Sequence, residues 1–262
     1  MTSTLLTLYS ELHDRRHVLT QLVIQQLVLR YRRTVLGYLW TLMNPLMTMS
    51  VMAVVFSGLF KSDLKNFAIF LFAGMIPWNF FSGVVTQSGT ALITHEGLIK
   101  KIYLPKALFP LSIALALLVD SLLSFVALFI IILALGGGVS WALLFLPISF
   151  ALLFILALGC GMIMAIATVF FRDLQHVTLI AMQGLFFLTP VLYKPETLAG
   201  KVSWLVSLNP VTPFIGLFRA PLVDGALPSV GLIFHSMLMA FAMLAIGLAV
   251  FTAKQKKIIF RL

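Results

Sequence analysis

Three stretches of this chain are almost free of formal charge, and that restricts the fold more than any other feature. No Asp, Glu, Lys or Arg occurs from Thr34 to Phe60 or from Asn66 to Thr94, and between Ala107 and Phe171 the only one is Asp120. A helix needs roughly 20 apolar residues to cross about 30 Å of hydrocarbon, and each stretch exceeds that. Lipid offers no water to a spanning backbone, so the backbone must close its hydrogen bonds internally, in helices or sealed barrels. These runs are far too long for barrel strands. Composition agrees: 61% of the residues are hydrophobic and 10% charged, whereas a soluble domain carries about 25% charged. The expectation is an all-α integral membrane protein.

The apolar runs and turn signals predict six transmembrane spans, near 36–60, 67–90, 107–135, 141–171, 174–193 and 229–252, within one membrane domain over 34–262. Gly136, Gly137 and Gly138 mark one turn, and Arg172 with Asp173 marks another. Residues 1–33 lack the long apolar core of a cleaved leader. There Leu5, Leu8 and Leu12, then Leu19, Leu22, Val23 and Leu27, recur at helical spacing among five arginines. That pattern predicts an amphipathic helix in the membrane interface, or one packed on the rest of the protein. Pro45 and Pro190 fall inside predicted spans and are expected to kink them. Trp78, Trp141 and Trp204 are candidates for an interfacial aromatic belt. The run Val202–Phe218 is uncharged but interrupted by Asn209, Pro210 and Pro213. Proline removes a donor and clashes with the preceding turn, so two short re-entrant helices are expected there, between the fifth and sixth spans on the periplasmic side.

Basic residues fall in the short segments between spans, as topology signals do, and not as a duplex-binding face; nucleic acid is excluded as a partner. With the N-terminus inside, 13 of the 18 basic residues lie on the inner side, so both termini are expected in the cytoplasm. No G-x-x-x-x-G-K-[ST] loop is present to cradle nucleotide phosphates, and no H-E-x-x-H or paired acidic motif to hold a metal. The eight acidic residues are scattered singly, which argues against an enzyme and against any cofactor or metal on this chain. The single cysteine, Cys160, lies in an apolar span. Asp120, within a predicted span, reads either as a proton relay or as a carboxyl that bonds to a neighbouring helix or sits near an interface.

Six runs in order along the chain then become recognisable. They are RYRRTVLGYLWTLMNPL (Arg30–Leu46), LFAGMIPWNFFSGVV (Leu71–Val85), GLIKKIYLPKALFPLS (Gly97–Ser112), FFRDLQH (Phe170–His176), FFLTPVLY (Phe186–Tyr193) and LNPVTPFIGLFR (Leu208–Arg219). Together they resemble the ABC-2 family of export permeases, in the branch that exports polysaccharide such as lipopolysaccharide O-antigen or capsule. The resemblance implies a homodimer with two copies of a separate ABC ATPase in a bacterial inner membrane. It implies an undecaprenyl-diphosphate-linked glycan as cargo, and ATP with magnesium on the partner. It places a coupling loop at Thr94–Tyr103, with Glu96, Lys100 and Lys101 as candidate coupling residues; a solvated topology loop is the plainer reading. Arg30, Arg32 and Arg33 can receive the lipid diphosphate through bidentate hydrogen bonds, or anchor the chain on anionic headgroups. The resemblance puts the first and fifth spans at the dimer interface. Tyr38 and Trp40, with Phe186, Phe187 and Tyr193, are therefore the candidate substrate pathway, where sugar faces stack on rings. Other cargoes, such as teichoic acid, keep the same architecture, and a proton-coupled carrier would need Asp120.

Overall fold

The computed structural model describes residues 14–30, 34–134, 140–195 and 201–261. Among them every regular element is helical. The α-helices are α1 (Arg16–Arg30), α2 (Trp40–Leu59), α3 (Leu64–Thr94), α4 (Glu96–Lys101), α5 (Leu108–Ala134), α6 (Leu146–Phe170), α7 (Leu174–Leu188), α8 (Lys201–Leu208), α9 (Thr212–Leu222) and α10 (Val230–Lys254). Helices α2, α3, α5 and α10 are long and apolar enough to cross a membrane, as is the unit Trp141–Phe170, in which a 3-10 turn leads into α6.

The expected fifth span is shorter than the sequence suggests. Helix α7 has 15 residues, about 22 Å of rise, and stops at Leu188. Pro190 is the reason: it has no N–H for the carbonyl of Phe186, and its ring would strike that carbonyl. The last turn is closed instead by the Thr189 N–H, shared between Leu185 O at 2.8 Å and Phe186 O at 3.2 Å. The Thr189 hydroxyl also donates to Leu185 O, at 2.7 Å. Pro190 thus ends a helix where a kink was expected, whereas Pro45 does lie inside α2, and Pro77 inside α3.

The long helices alternate direction, so the bundle has an end carrying α4 and an end carrying α8 and α9. The α6–α7 turn at Arg172–Asp173 belongs to the α4 end, as does the C-terminal segment, whose Arg261 guanidinium lies 5.7 Å from the Phe170 ring centroid. Helix α1 packs on α5 through the buried Leu22, with Ile24 and Val28 left exposed. Helix α3 is the axis of the bundle: 72% of its apolar stretch is buried, against 17% for α2 and for α10. Its principal neighbour is α6.

Small residues set that packing. A Cβ on Gly161 would stand 2.8 Å from Ser88 Oγ, and one on Gly89 would stand 3.1 Å from Thr168 Oγ1. Where α6 crosses α10 the approach is closer still. A Cβ on Gly159 would lie 2.6 Å from Met243 O, and one on Gly247 would lie 2.5 Å from Gly159 O. Lipid tails are as apolar as leucine, so helices associate in membranes by close van der Waals approach, which residues without bulk permit.

Candidate functional site

At the α4 end a single surface turn stands between two of the long helices. Helix α4 begins with Glu96 and ends with Lys100 and Lys101, an order that suits the helix dipole. Lys100 Nζ donates to Glu96 Oε1 at 2.5 Å across one turn. This hydrogen bond, with the charges of Lys100 and Arg172, holds the Glu96 carboxyl below its ordinary pKa. His95 caps the junction: its Nδ1 lies 2.8 Å from Ala91 O, and its ring is 5.0 Å from that of Phe109. Two helix termini and the α6–α7 turn therefore converge on one small charged surface.

At the opposite end, α8 and α9 are joined by a short turn in which Asn209 and Val211 are buried, at 5% and 0% exposed, while Leu208 and Pro210 stay exposed. The Asn209 amide explains how a broken backbone is tolerated there. Its Oδ1 accepts from the Val211 N–H at 2.9 Å, and its Nδ2 donates to Thr189 Oγ1 at 2.7 Å. The turn is thereby tied to the end of α7. Further along α9, Arg219 is 9% exposed. Its Nη2 donates to Val191 O at 2.8 Å, and its guanidinium carbon lies 3.6 Å from the Phe70 ring centroid. A largely buried cation over a ring face is a strong contact. Gly74 makes room for it, since a Cβ there would come within 3.1 Å of Arg219 Nη2. Ser149 and Phe150 of α6 complete the fixation, Ser149 Oγ donating to Leu217 O at 3.0 Å and Phe150 meeting Phe218 edge-on at 4.8 Å.

The aromatic candidates separate into two groups. Phe186 packs on Trp78 at 5.7 Å and on Phe187 at 5.5 Å, and Tyr193 donates its hydroxyl to Phe187 O at 2.9 Å. These belong to the α9 end. Trp40, half-buried, opens α2 at the other end. The side chains of Tyr38 and Arg30 lie outside the described residues, as do Arg32 and Arg33 entirely. Trp78 is buried at 5% exposure, unlike Trp141 and Trp204 at 87% and 62%. It therefore belongs to the packed interior, with the other two on the surface. Asp120 is also buried, within α5.

Residues 17–223 match the family described as ABC-2 type transporter. The chain belongs to that family. Among its relatives, an O-antigen export system permease protein from Myxococcus xanthus is 30% identical over 226 residues, covering 86% of this chain and 87% of the relative. One of the same description from Klebsiella pneumoniae is 28% identical over 229 residues, covering 87% and 88%. A polysialic acid transport protein from Escherichia coli is 24% identical over 242 residues, covering 90% and 92%. ABC-2 permeases are multi-pass membrane subunits that work with a separate ATPase.

Within the ABC-2 frame, sequence reasoning missed Asn209, Thr189 and Arg219 as a connected set. One signal was present: Arg219 ends an uncharged run, Val202–Phe218, where a lone cation has few places to go except a built partner site. The partners themselves, Phe70 and Val191, are distant in sequence.

Proposed function

We propose that this chain is the transmembrane permease of an ATP-driven exporter that moves lipid-linked polysaccharide, O-antigen or capsule-like, from the cytoplasm to the periplasm. The observation that carries the reading is the match over 86% of the chain, at 30% identity, to a relative named as an O-antigen export permease. The carrier is undecaprenyl diphosphate, the membrane is the bacterial inner membrane, and the working unit is a homodimer with two ATPase subunits that bind ATP and magnesium. Both termini and the α4 end face the cytoplasm, as the 13 of 18 basic residues there favour.

A soluble ATPase acts only through surfaces it touches, and α4, with Glu96, Lys100 and Lys101, supplies one beside the α6–α7 turn. Arg30, Arg32 and Arg33 receive the diphosphate on the same side. Helices α2 and α7 face the second copy and the pathway. Their membrane-depth polar residues support this: the side chains of Asn44 and Gln183 are exposed on the single chain, where contact with hydrocarbon would be costly. Tyr38, Trp40, Phe186, Phe187 and Tyr193 offer rings along that route. Helices α8 and α9, roughly 12 and 17 Å long, are each long enough to reach about half-way into the bilayer from the periplasmic side.

The deciding experiment is deletion of this chain in its native cells, followed by analysis of lipid-linked glycan. Polymer trapped on its lipid in the cytoplasm, with none at the surface, is expected. Normal surface glycan would remove the polysaccharide assignment.

A further inference from the structure

Two cavities adjoin at the α9 end and share Phe70, Lys194 and Val223 in their walls. The first, about 350 Å³, is almost wholly apolar, lined by Phe60, Phe67, Leu192 and Tyr193, with Ser62 and Asn66 at its edge. Its rings continue a ladder: Phe56 to Phe60 at 6.0 Å, Phe60 to Phe67 at 5.8 Å, Phe67 to Phe70 at 6.1 Å, and then the Arg219 guanidinium 3.6 Å beyond. The second, about 580 Å³, is more polar and has both Lys194 and Arg219 in its wall, together with Thr212 and Asp224.

We propose that the two cavities form one site for a lipid phosphate, with the phosphate between Lys194 and Arg219 and the apolar chain along Phe60, Phe67 and Leu192. The arrangement discriminates among ligands. A free phosphate has no use for the aromatic cavity, and a neutral hydrocarbon makes no use of the Lys194 and Arg219 cations in the wall of the second. A bare sugar ring meets too few hydrogen-bonding groups in the first cavity. An amphiphile with a phosphate at its head satisfies both halves. Arg219 is already oriented by Val191 O and Phe70, so little ordering remains to be done when the anion arrives. Guanidinium and ammonium together suit a phosphate, the one as a fixed fork and the other as a mobile point charge. The occupant is either the polyisoprenyl diphosphate carrier or a bilayer phospholipid, which share this chemistry. Placement of the site on the periplasmic side rests on the export reading above; the binding claim does not.

The test is photolabelling of the purified full-length permease–ATPase complex, in dodecyl maltoside, with a benzophenone-bearing farnesyl diphosphate. Label is expected on peptides containing Phe60–Phe70 and Leu192–Lys194. Excess unlabelled farnesyl diphosphate should remove it, and neither inorganic pyrophosphate nor farnesol at equal concentration should. Lys194→Gln removes one exposed charge and should cut this label about 5-fold with the thermal midpoint unchanged. Val223→Trp fills the wall common to both cavities without touching a charge, and should cut it as well. Label confined to other segments, label indifferent to either variant, or equal competition by pyrophosphate would overturn the site. Competition by phosphatidylglycerol assigns it to phospholipid, and its absence assigns it to the polyisoprenyl carrier; both uphold a lipid-phosphate site. Labelling requires no transport, so a permease whose deletion left surface glycan normal could still carry the site.

Discussion

Helices α6 and α7 are joined by a three-residue turn and are both apolar, yet the protomer treats them in opposite ways. Helix α6 buries residues on nearly every side and meets α3 and α10 through Gly159, Gly161 and Thr168. Helix α7 buries Thr178 and leaves Val177, Ile180, Gln183 and Phe187 exposed. Hydrophobicity cannot account for the difference, because lipid accepts an apolar face as readily as another helix does. Close approach can. Glycines in α6 touch neighbouring backbone or hydroxyls, whereas a Cβ added to Gly184 of α7, or to Gly58 of α2, would meet nothing within 4 Å. The comparison teaches that α6 is finished within one chain, whereas α7 keeps an open face, which the proposed second copy would cover.

The sharpest way to break this contrast is to add bulk to each helix. Gly159→Leu should cost about 3 kcal/mol or more, since the obstruction is backbone of α10, and little folded protein should be recovered in detergent. Gly184→Leu should shift protomer stability by no more than about 0.5 kcal/mol while weakening association of two copies in cross-linking. Equal losses in both would end the distinction. Next in size, Asn209→Ala leaves the Val211 N–H and the Thr189 hydroxyl without this buried partner, and should cost about 1–3 kcal/mol by thermal denaturation. A smaller effect is expected from Gln183→Leu. It should lower the export rate roughly 5-fold through loss of one polar contact worth about 1 kcal/mol, at unchanged thermal midpoint. If α7 simply faced lipid, that variant would be neutral or better.

The least effect concerns the α4 surface and acidity. The Glu96 pKa is lowered chiefly by its hydrogen bond from Lys100, so the pair is present at neutral pH and lost only as pH falls below the ordinary carboxylate range. ATPase stimulation by the permease should therefore show no inflection from this pair at neutral or mildly acid pH. Glu96→Gln should remove any inflection seen under more acid conditions.

The spanning helices were legible because the bilayer imposes length and internal hydrogen bonding on any chain that crosses it, and the charge-free runs ending near Phe60, Thr94 and Phe170 record that demand directly. The end of α7 was less so. Apolar residues continue through Leu192, and Pro190 inside such a run is compatible with a kink or a stop; the Thr189 contacts decide for the stop. Trp78 shows a related difficulty. Its LFAGMIPWNFF setting suits an interface residue, but α3 is covered on most sides, and Phe186 meets the indole. Arg219 was least legible, because its meaning depends on Phe70, Gly74 and Val191, which only the folded chain brings together.

The crossing of Gly159 and Gly247 also bears on how such a chain can change over generations. Each glycine abuts main chain of the other helix, so a methyl on either one is obstructed whatever side chain the other carries. No order of single substitutions passes through that point without first moving one helix. Variation is therefore expected to run around the crossing: lineages can exchange the apolar residues that flank it, and with them the lipid-facing surface, while the contact between the two main chains stays as a fixed inheritance.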